Sequence, residues 1–185
     1  MTTSSKAPVR AVILAAGQGK RMKSARAKVL HDVLGKSIIT RIIDAVDSLK
    51  PEKIHVVIGH QAEAVENYLL ANPALYPFST HLQSPQLGTG HALQQVVPDL
   101  GDFKGTLLVT VGDTPLLSGK TLGELVTRHQ AEHAAVSLLT AVVDDAKKYG
   151  RIVRDRDGSV LKIVEDKDTS DLEKHIKEVN PAIYC

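Results

Sequence analysis

A three-layer α/β fold around a mostly parallel, open sheet, with a C-terminal β-hairpin region, is predicted by three features of the sequence. Strand-like and helix-like runs alternate over the first 142 residues. The strand-like runs Val9–Leu14, Lys53–Ile58 and Thr106–Val111 are largely apolar and β-branched, as buried strands are. Glycine and polar residues gather where those runs stop, at Ala15–Arg21, Gly59-His60, Ser84–His91 and Gly112–Pro115. In open parallel sheets ligands bind beyond the carboxyl ends of the strands, so these segments are predicted to converge on one crevice.

The elements follow in order. Val9–Leu14 reads as the first strand and feeds the loop Ala15–Gly19. Ile38, Ile39, Ile42, Ile43, Val46 and Leu49 recur at helical spacing over 37–49, with Ser37 as N-cap and Pro51 past the end. Lys53–Ile58 reads as a strand, Gln61–Leu70 as a helix burying Ala62, Val65, Leu69 and Leu70, and Thr80–Leu82 as a short strand. Gly90–Val97 reads as a helix capped by Thr89 or Gly90, and Thr106–Val111 is the most strand-like run in the chain. Ser118–Glu132 is again helical and Ala135–Val142 is assigned a further strand of the same sheet. Arg151–Arg154 and Val160–Val164 then form a hairpin, followed by a short helix near 171–176 and a last strand over 179–184. Residues 1–8 are expected to be a flexible tail and 9–185 one domain, the usual scale for a chain of 185 residues.

Composition narrows the function. Aromatic residues make up 3% of the chain, too few to build a stacking platform for single-stranded nucleic acid. The formal charge is only +2 although Lys20, Arg21, Lys23, Arg26 and Lys28 crowd one segment, which fits a compact anionic ligand better than a basic face. Cys185 is the single cysteine, so neither an internal disulfide nor a cysteine-based zinc site is available within these residues, and a reducing cytoplasm is expected. No apolar run reaches the length of a membrane span.

Three segments carry chemistry. Leu14-Ala15-Ala16-Gly17-Gln18-Gly19 ends a buried strand with small residues whose backbone can approach phosphate closely, and cations follow. It is not a P-loop, since Arg21 follows Lys20 where Ser or Thr is required, and Met22 replaces the third glycine of a dinucleotide fingerprint. Arg21 offers a planar fork for phosphate and Lys28 a mobile charge, whereas Lys20, Lys23 and Arg26 read as solvated surface. Gln83 can meet the edge of a uracil-like ring, Gly88 permits close approach, and His91 is assigned no catalytic role. Asp113, directly after the strongest strand and Gly112, suits Mg2+, which is held by one or two carboxylates together with substrate phosphates. Asp99, Asp102, Asp144 and Asp145 read as loop residues.

With these residues in place the chain resembles the sugar nucleotidyltransferases, of Rossmann-like fold, and among them the uridylyltransferase domain that makes UDP-N-acetylglucosamine for the bacterial cell envelope. LAAGQGKRM, KVLH, QLGTGHA, VGDTPLL, YGRIVRD and VEDKD carry the resemblance, in that order and over nearly the whole chain past the tail. It implies that Leu14, Ala15, Ala16 and Gly17 line a nucleotide site, that Arg21 holds the departing β and γ phosphates, and that Lys28 holds the attacking sugar phosphate. Gln83, Gly88 and Thr89 would recognise uracil, Asp113 would bind Mg2+, and Gly112, Gly150, Glu165 and Asn180 would contact ribose or the amino sugar. The substrates implied are UTP and N-acetylglucosamine 1-phosphate. Another sugar phosphate, a molybdopterin acceptor using GTP, or a non-catalytic sugar-nucleotide binder are the alternatives.

Departures from the family pattern are local. Ala27 stands where proline precedes the lysine, Lys20 where threonine is common, and Val111 where tyrosine is seen. Asn180-Pro181-Ala182 replaces an asparagine followed by Thr or Ser and Gly, so a backbone donor is lost beside Asn180. In the family the domain continues past this length, supplying an asparagine as second metal ligand, then an acetyltransferase β-helix. The domain is therefore expected to be C-terminally incomplete.

Overall fold

The computed structural model describes residues 7–19 and 22–185, which fall into two compact units, one reaching to Ala135 and the other spanning Val136–Tyr184. The expected phosphate ligand Arg21, with Lys20, lies outside the described residues.

The first unit begins with β1 (Val9–Leu14), a six-residue run in which Ala11, Val12 and Ile13 are fully buried. A 3-10 turn, Lys28–Leu30, precedes a small hairpin that the sequence reading did not contain, β2 (Asp32–Val33) and β3 (Lys36–Ser37). Its two-residue turn places both Leu34 and Gly35 at positive φ, 51° and 77°, the backbone that matches strand twist in tight hairpins. Leucine at the first turn position hid this signal. Helix α1 (Ile38–Asp47) starts at Ser37, whose hydroxyl accepts from the Thr40 N–H at 3.2 Å, and it buries Ile38, Ile39, Ile42, Ile43 and Val46.

Next come β4 (Lys53–Ile58) and α2 (Ala62–Ala71), which buries Val65 and Leu69 but leaves Leu70 exposed, contrary to expectation. Strand β5 (Phe78–Leu82) starts two residues earlier than predicted. The expected helix 90–97 is two pieces, α3 (Thr89–Gln94) and α4 (Val97–Leu100), because Pro98 has no N–H to continue the first. The N-cap of α3 is Gly88, not Thr89 or Gly90, and no side chain caps it. Strand β6 (Thr106–Val111) and helix α5 (Gly119–Ala131), capped by the Ser118 hydroxyl, complete the unit.

The four long strands form an all-parallel sheet in the order β5-β4-β1-β6, with Leu14 opposite both Val57 and Val111. Consecutive buried residues on β1 and β4 show that both faces are covered, as expected for the three-layer arrangement. Chain order reverses beside β1, between β4 on one side and β6 on the other, and that reversal opens a crevice at the strands' carboxyl ends.

A polar cluster interrupts this aliphatic core. His55 on β4 is fully buried, its Nδ1 is 3.1 Å from His81 Nε2, and its own Nε2 has no hydrogen-bond partner. Asp99, read from sequence as a loop residue, is in α4 and accepts from Lys53 Nζ at 2.7 and 2.9 Å. Burial pushes the His55 imidazole down to about 4 and lowers His81, while the Lys53 hydrogen bond holds the Asp99 carboxyl at about 2.

The second unit is an antiparallel sheet, β7-β10-β8-β9, built from β7 (Ala141–Val142), β8 (Gly150–Arg154), β9 (Val160–Val164) and β10 (Glu178–Asn180). The expected strand 135–142 is thus corrected: only two residues are strand, and they pair antiparallel with β10 instead of joining the parallel sheet. The expected helix near 171–176 is a 3-10 turn, Glu173–His175, and the last strand stops at Asn180, with a lone bridge from Tyr184 to Leu138. Ile152, Val179 and Ile183 supply this unit's apolar centre.

Candidate active site

The carboxyl ends of the parallel strands surround a cavity of about 490 Å³. Leu14, Ala16, Gly17 and Gln18 line it after β1, Gln83, Gln86, Gly88 and Thr89 after β5, and Val111 and Asp113 at the end of β6. Most of the nucleotide residues expected from sequence therefore come together. Ala15 lies behind the wall, buried, with its N–H bonded to Val57 O at 2.8 Å. Gly112 donates to Leu14 O at 2.8 Å, and a Cβ there would stand 3.1 Å from that of Ala15, so the two central loops pack closely.

Gln83 is buried and its N–H is fixed by Ile58 O. Its amide nitrogen donates to Gly88 O at 2.9 Å and lies 3.2 Å from His91 Nδ1, while the far ring nitrogen of His91 is 3.2 Å from Gln95 Nε2. One amide proton of Gln83 is thereby used on Gly88 O, the direction of the His91 contact follows the imidazole tautomer, and the carbonyl oxygen of Gln83 is the group able to meet a ligand N–H. Gly88 takes a φ of 102°, so the loop's turn requires glycine there.

Lys28 Nζ forms an ion pair with Asp113 Oδ2. The two expected phosphate and metal groups, 85 residues apart, are thus direct neighbours, and both side chains are partly solvent-exposed. Gly19, at a φ of 59°, lies against the Lys28 stem: a Cβ would come within 2.7 Å of Lys28 Cβ. Among the described residues lining the cavity Asp113 is the single charged group, and none is His or Cys. One exposed carboxylate with no nitrogen or sulfur donor fits a hard divalent cation that also takes phosphate oxygens.

Two glutamines were missed from sequence. Gln18 Nε2 donates to Gln86 Oε1 at 2.9 Å across the cavity mouth, joining the first and third loops. They are 68 residues apart, and no local pattern could pair them. Ala92 and Val111 also line the wall; their burial and half-burial follow from packing alone.

In the second unit Gly150, Glu165 and Asn180 are neighbours, since a Cβ on Gly150 would lie 3.5 Å from Glu165 Oε1 and 3.7 Å from Asn180 Cβ. The Asn180 amide is occupied locally: it donates to the Tyr184 hydroxyl at 2.6 Å and accepts from the Ala182 N–H at 3.0 Å. Arg151, just after Gly150, is buried and donates to Asp166 at 2.9 Å; a hydrogen bond from the Lys148 backbone, followed by this one, holds the Asp166 carboxyl below its usual range.

Comparison with known proteins gives the family and the fold. The bifunctional protein GlmU of Brevibacillus brevis is 49% identical over 177 residues, covering 96% of this chain and 37% of that protein. The chain thus spans little over a third of the curated relatives' length. Among solved structures, a UDP-glucose pyrophosphorylase complexed with UDP-glucose superposes with a TM-score of 0.77 at 17% identity, covering 96% of this chain and 75% of that one. HddC from Yersinia pseudotuberculosis superposes at 0.71 with 23% identity, covering 95% and 75%, and at these identities both speak to the fold. Residues 11–157 match the MobA-like NTP transferase domain, and since that is most of its length, the chain belongs to this nucleotidyltransferase family.

Proposed function

We propose that the chain catalyses Mg2+-dependent transfer of UMP from UTP to N-acetylglucosamine 1-phosphate, giving UDP-N-acetylglucosamine and pyrophosphate for the cell envelope. The observation that carries the reading is the strand-end cavity in which a committed Gln83 amide and the Lys28–Asp113 pair come from different loops, in a chain 49% identical to GlmU. Uracil presents its N3–H to a carbonyl acceptor, the group that Gln83 has left. Gly88 and Thr89 join Gln83 at the uracil, Leu14, Ala16 and Gly17 line the rest of the nucleotide, and Arg21 takes the β and γ phosphates. Gly112, Gly150, Glu165 and Asn180 take ribose or the amino sugar.

In the reaction an oxygen of the sugar phosphate attacks the α-phosphorus of UTP, the bond to the β-phosphate oxygen breaks, and pyrophosphate departs with that electron pair. No proton needs to be removed, because a phosphate monoester is already an anion. Lys28 neutralises and aims the attacking phosphate, turning from its ion pair with Asp113. Orientation of this type contributes about 7–11 kcal/mol where geometry is favourable. Mg2+ held by Asp113 supplies charge neutralisation at the triphosphate.

Pyrophosphate release from UTP and N-acetylglucosamine 1-phosphate tests the reading. Turnover should require Mg2+, and Lys28→Ala and Asp113→Ala should each lower kcat by about 100-fold or more while leaving the circular dichroism spectrum unchanged. Binding of UDP-N-acetylglucosamine without any turnover would overturn it in favour of a non-catalytic binder.

A further inference from the structure

The His55–His81–Asp99 cluster lies outside the strand-end cavity and plays no part in the reaction above. It is assembled from three elements. On the parallel pair β4 and β5, His55 stands opposite Ser79, and His81 follows two residues later on the same face. Asp99 reaches in from α4.

Four donor atoms meet there. His55 Nδ1 is 3.1 Å from His81 Nε2 and 3.3 Å from Asp99 Oδ2, and the latter two are 3.5 Å apart. Ser79 Oγ caps the triangle at 3.4, 3.0 and 3.0 Å from those same atoms. All six separations lie between 3.0 and 3.5 Å, so the atoms describe a nearly regular tetrahedron. The centre of such a figure is about 2.0 Å from each corner, the distance at which zinc takes imidazole nitrogen and carboxylate oxygen.

We propose that His55 Nδ1, His81 Nε2 and Asp99 Oδ2 form a tetrahedral Zn2+ site, with the Ser79 hydroxyl or a water in its place as fourth donor. Two imidazoles with one carboxylate suit zinc and not Mg2+, which asks for oxygen ligands in an octahedron. His55 forms the buried floor, and the side chains of His81 and Asp99 are 12% and 36% exposed, so the cation enters from the Asp99 side. His81 is further oriented by a hydrogen bond with the backbone of Gln95, the kind of outer contact that steadies metal-binding histidines. Lys53 is the opposing charge: its Nζ touches both Asp99 oxygens and keeps Oδ1, at 2.9 Å, when Oδ2 turns to the metal. Nearby Arg10 is offset by Glu52 at 3.7 Å. Such an ion would tie α4 to both strands, two residues before Gln83, and so stiffen the strand end that carries the base-recognising loop.

The test is metal binding by the tag-free, chelator-treated full chain. One Co2+ should bind with the visible absorption of a four-coordinate ion, displaced by Zn2+ and unaffected by Mg2+. At a hundredfold excess of Zn2+ over its Kd, the Tm should rise by about 5–10 °C. His81→Gln and Asp99→Asn should each weaken Co2+ binding by about 100-fold or more, whereas Asp113→Asn should not change it. Should His81→Gln fail to fold, the more exposed Asp99→Asn decides. Absence of stoichiometric binding to the wild type, or unchanged affinity in the folded variants, would overturn the site and leave a hydrogen-bonded network. These readouts do not depend on turnover, so the site and the proposed activity fail separately.

Discussion

At the scale of single residues, the cavity depends on groups whose partners are already chosen. Because the Gln83 amide is held in place by Gly88 O beside His91, removing the side chain should cost the base contact while sparing phosphate binding. Gln83→Ala is expected to weaken UTP by about 10- to 100-fold in calorimetric titration and pyrophosphate by much less. Equal losses would show that the loop had collapsed and that Gln83 does not read the base. Gly59 is tightly placed: a Cβ there would lie 2.9 Å from Ala16 Cβ, 3.0 Å from Ala16 O and 2.8 Å from Gln86 Nε2. Gly59→Ala should therefore lower stability by about 1–3 kcal/mol and reduce kcat/KM, measurable by denaturant melts and initial rates. Gln83 and Asp113 could be chosen from sequence because polar residues stood at strand ends. The Gln18–Gln86 bridge and the Lys28–Asp113 pair could not, since each joins residues that share no local pattern.

At the scale of elements, caps and paired charges set the boundaries. The Ser37 hydroxyl satisfies the Thr40 N–H at the start of α1, so Ser37→Ala should cost about 1 kcal/mol in urea unfolding. In the antiparallel sheet Arg154 grips Glu178 with two bonds, at 2.8 and 2.7 Å. That fork, with Thr140 adding a hydrogen bond, holds the Glu178 carboxyl at about 2 in place of 4.5. A carboxyl depressed in the folded state stabilises above its unfolded value and loses that contribution as pH falls from 4.5 toward 2. Glu178→Gln should remove that contribution, lowering stability at pH 7, changing little near pH 2 and so flattening the acid limb between them, as followed by circular dichroism melts. Long, periodic elements such as α1, β4 and β6 were legible within a residue or two. The 135–142 segment was not, because a short apolar run looks the same whether it enters a parallel sheet or pairs with β10.

At the scale of the molecule, the order β5-β4-β1-β6 brings the loops after β1, β5 and β6 to one crevice, while the expected Gly59-His60 segment after β4 does not line it. Ile13 is fully buried in β1, between β4 and β6. Ile13→Ala should cost about 3–4 kcal/mol, lowering the Tm by roughly 10 °C, with a large cavity term because strands on both sides hold the backbone in place. Among the described residues no helix is long and apolar enough to cross a membrane.

The sequence by itself determined the alternation of strands and helices, the aliphatic core and the strand-end positions of Leu14–Gly17, Gln83 and Asp113. These follow from local periodicity and from backbone chemistry at a few small residues. Only the tertiary structure decided which strands are neighbours, that Lys28 meets Asp113, and that His55, Ser79, His81 and Asp99 close into a tetrahedron. Those results depend on strand register and helix placement, which bring together donors dispersed along 45 residues to within 3.5 Å. Local pattern carries no information at that range, and packing of the whole sheet supplies it.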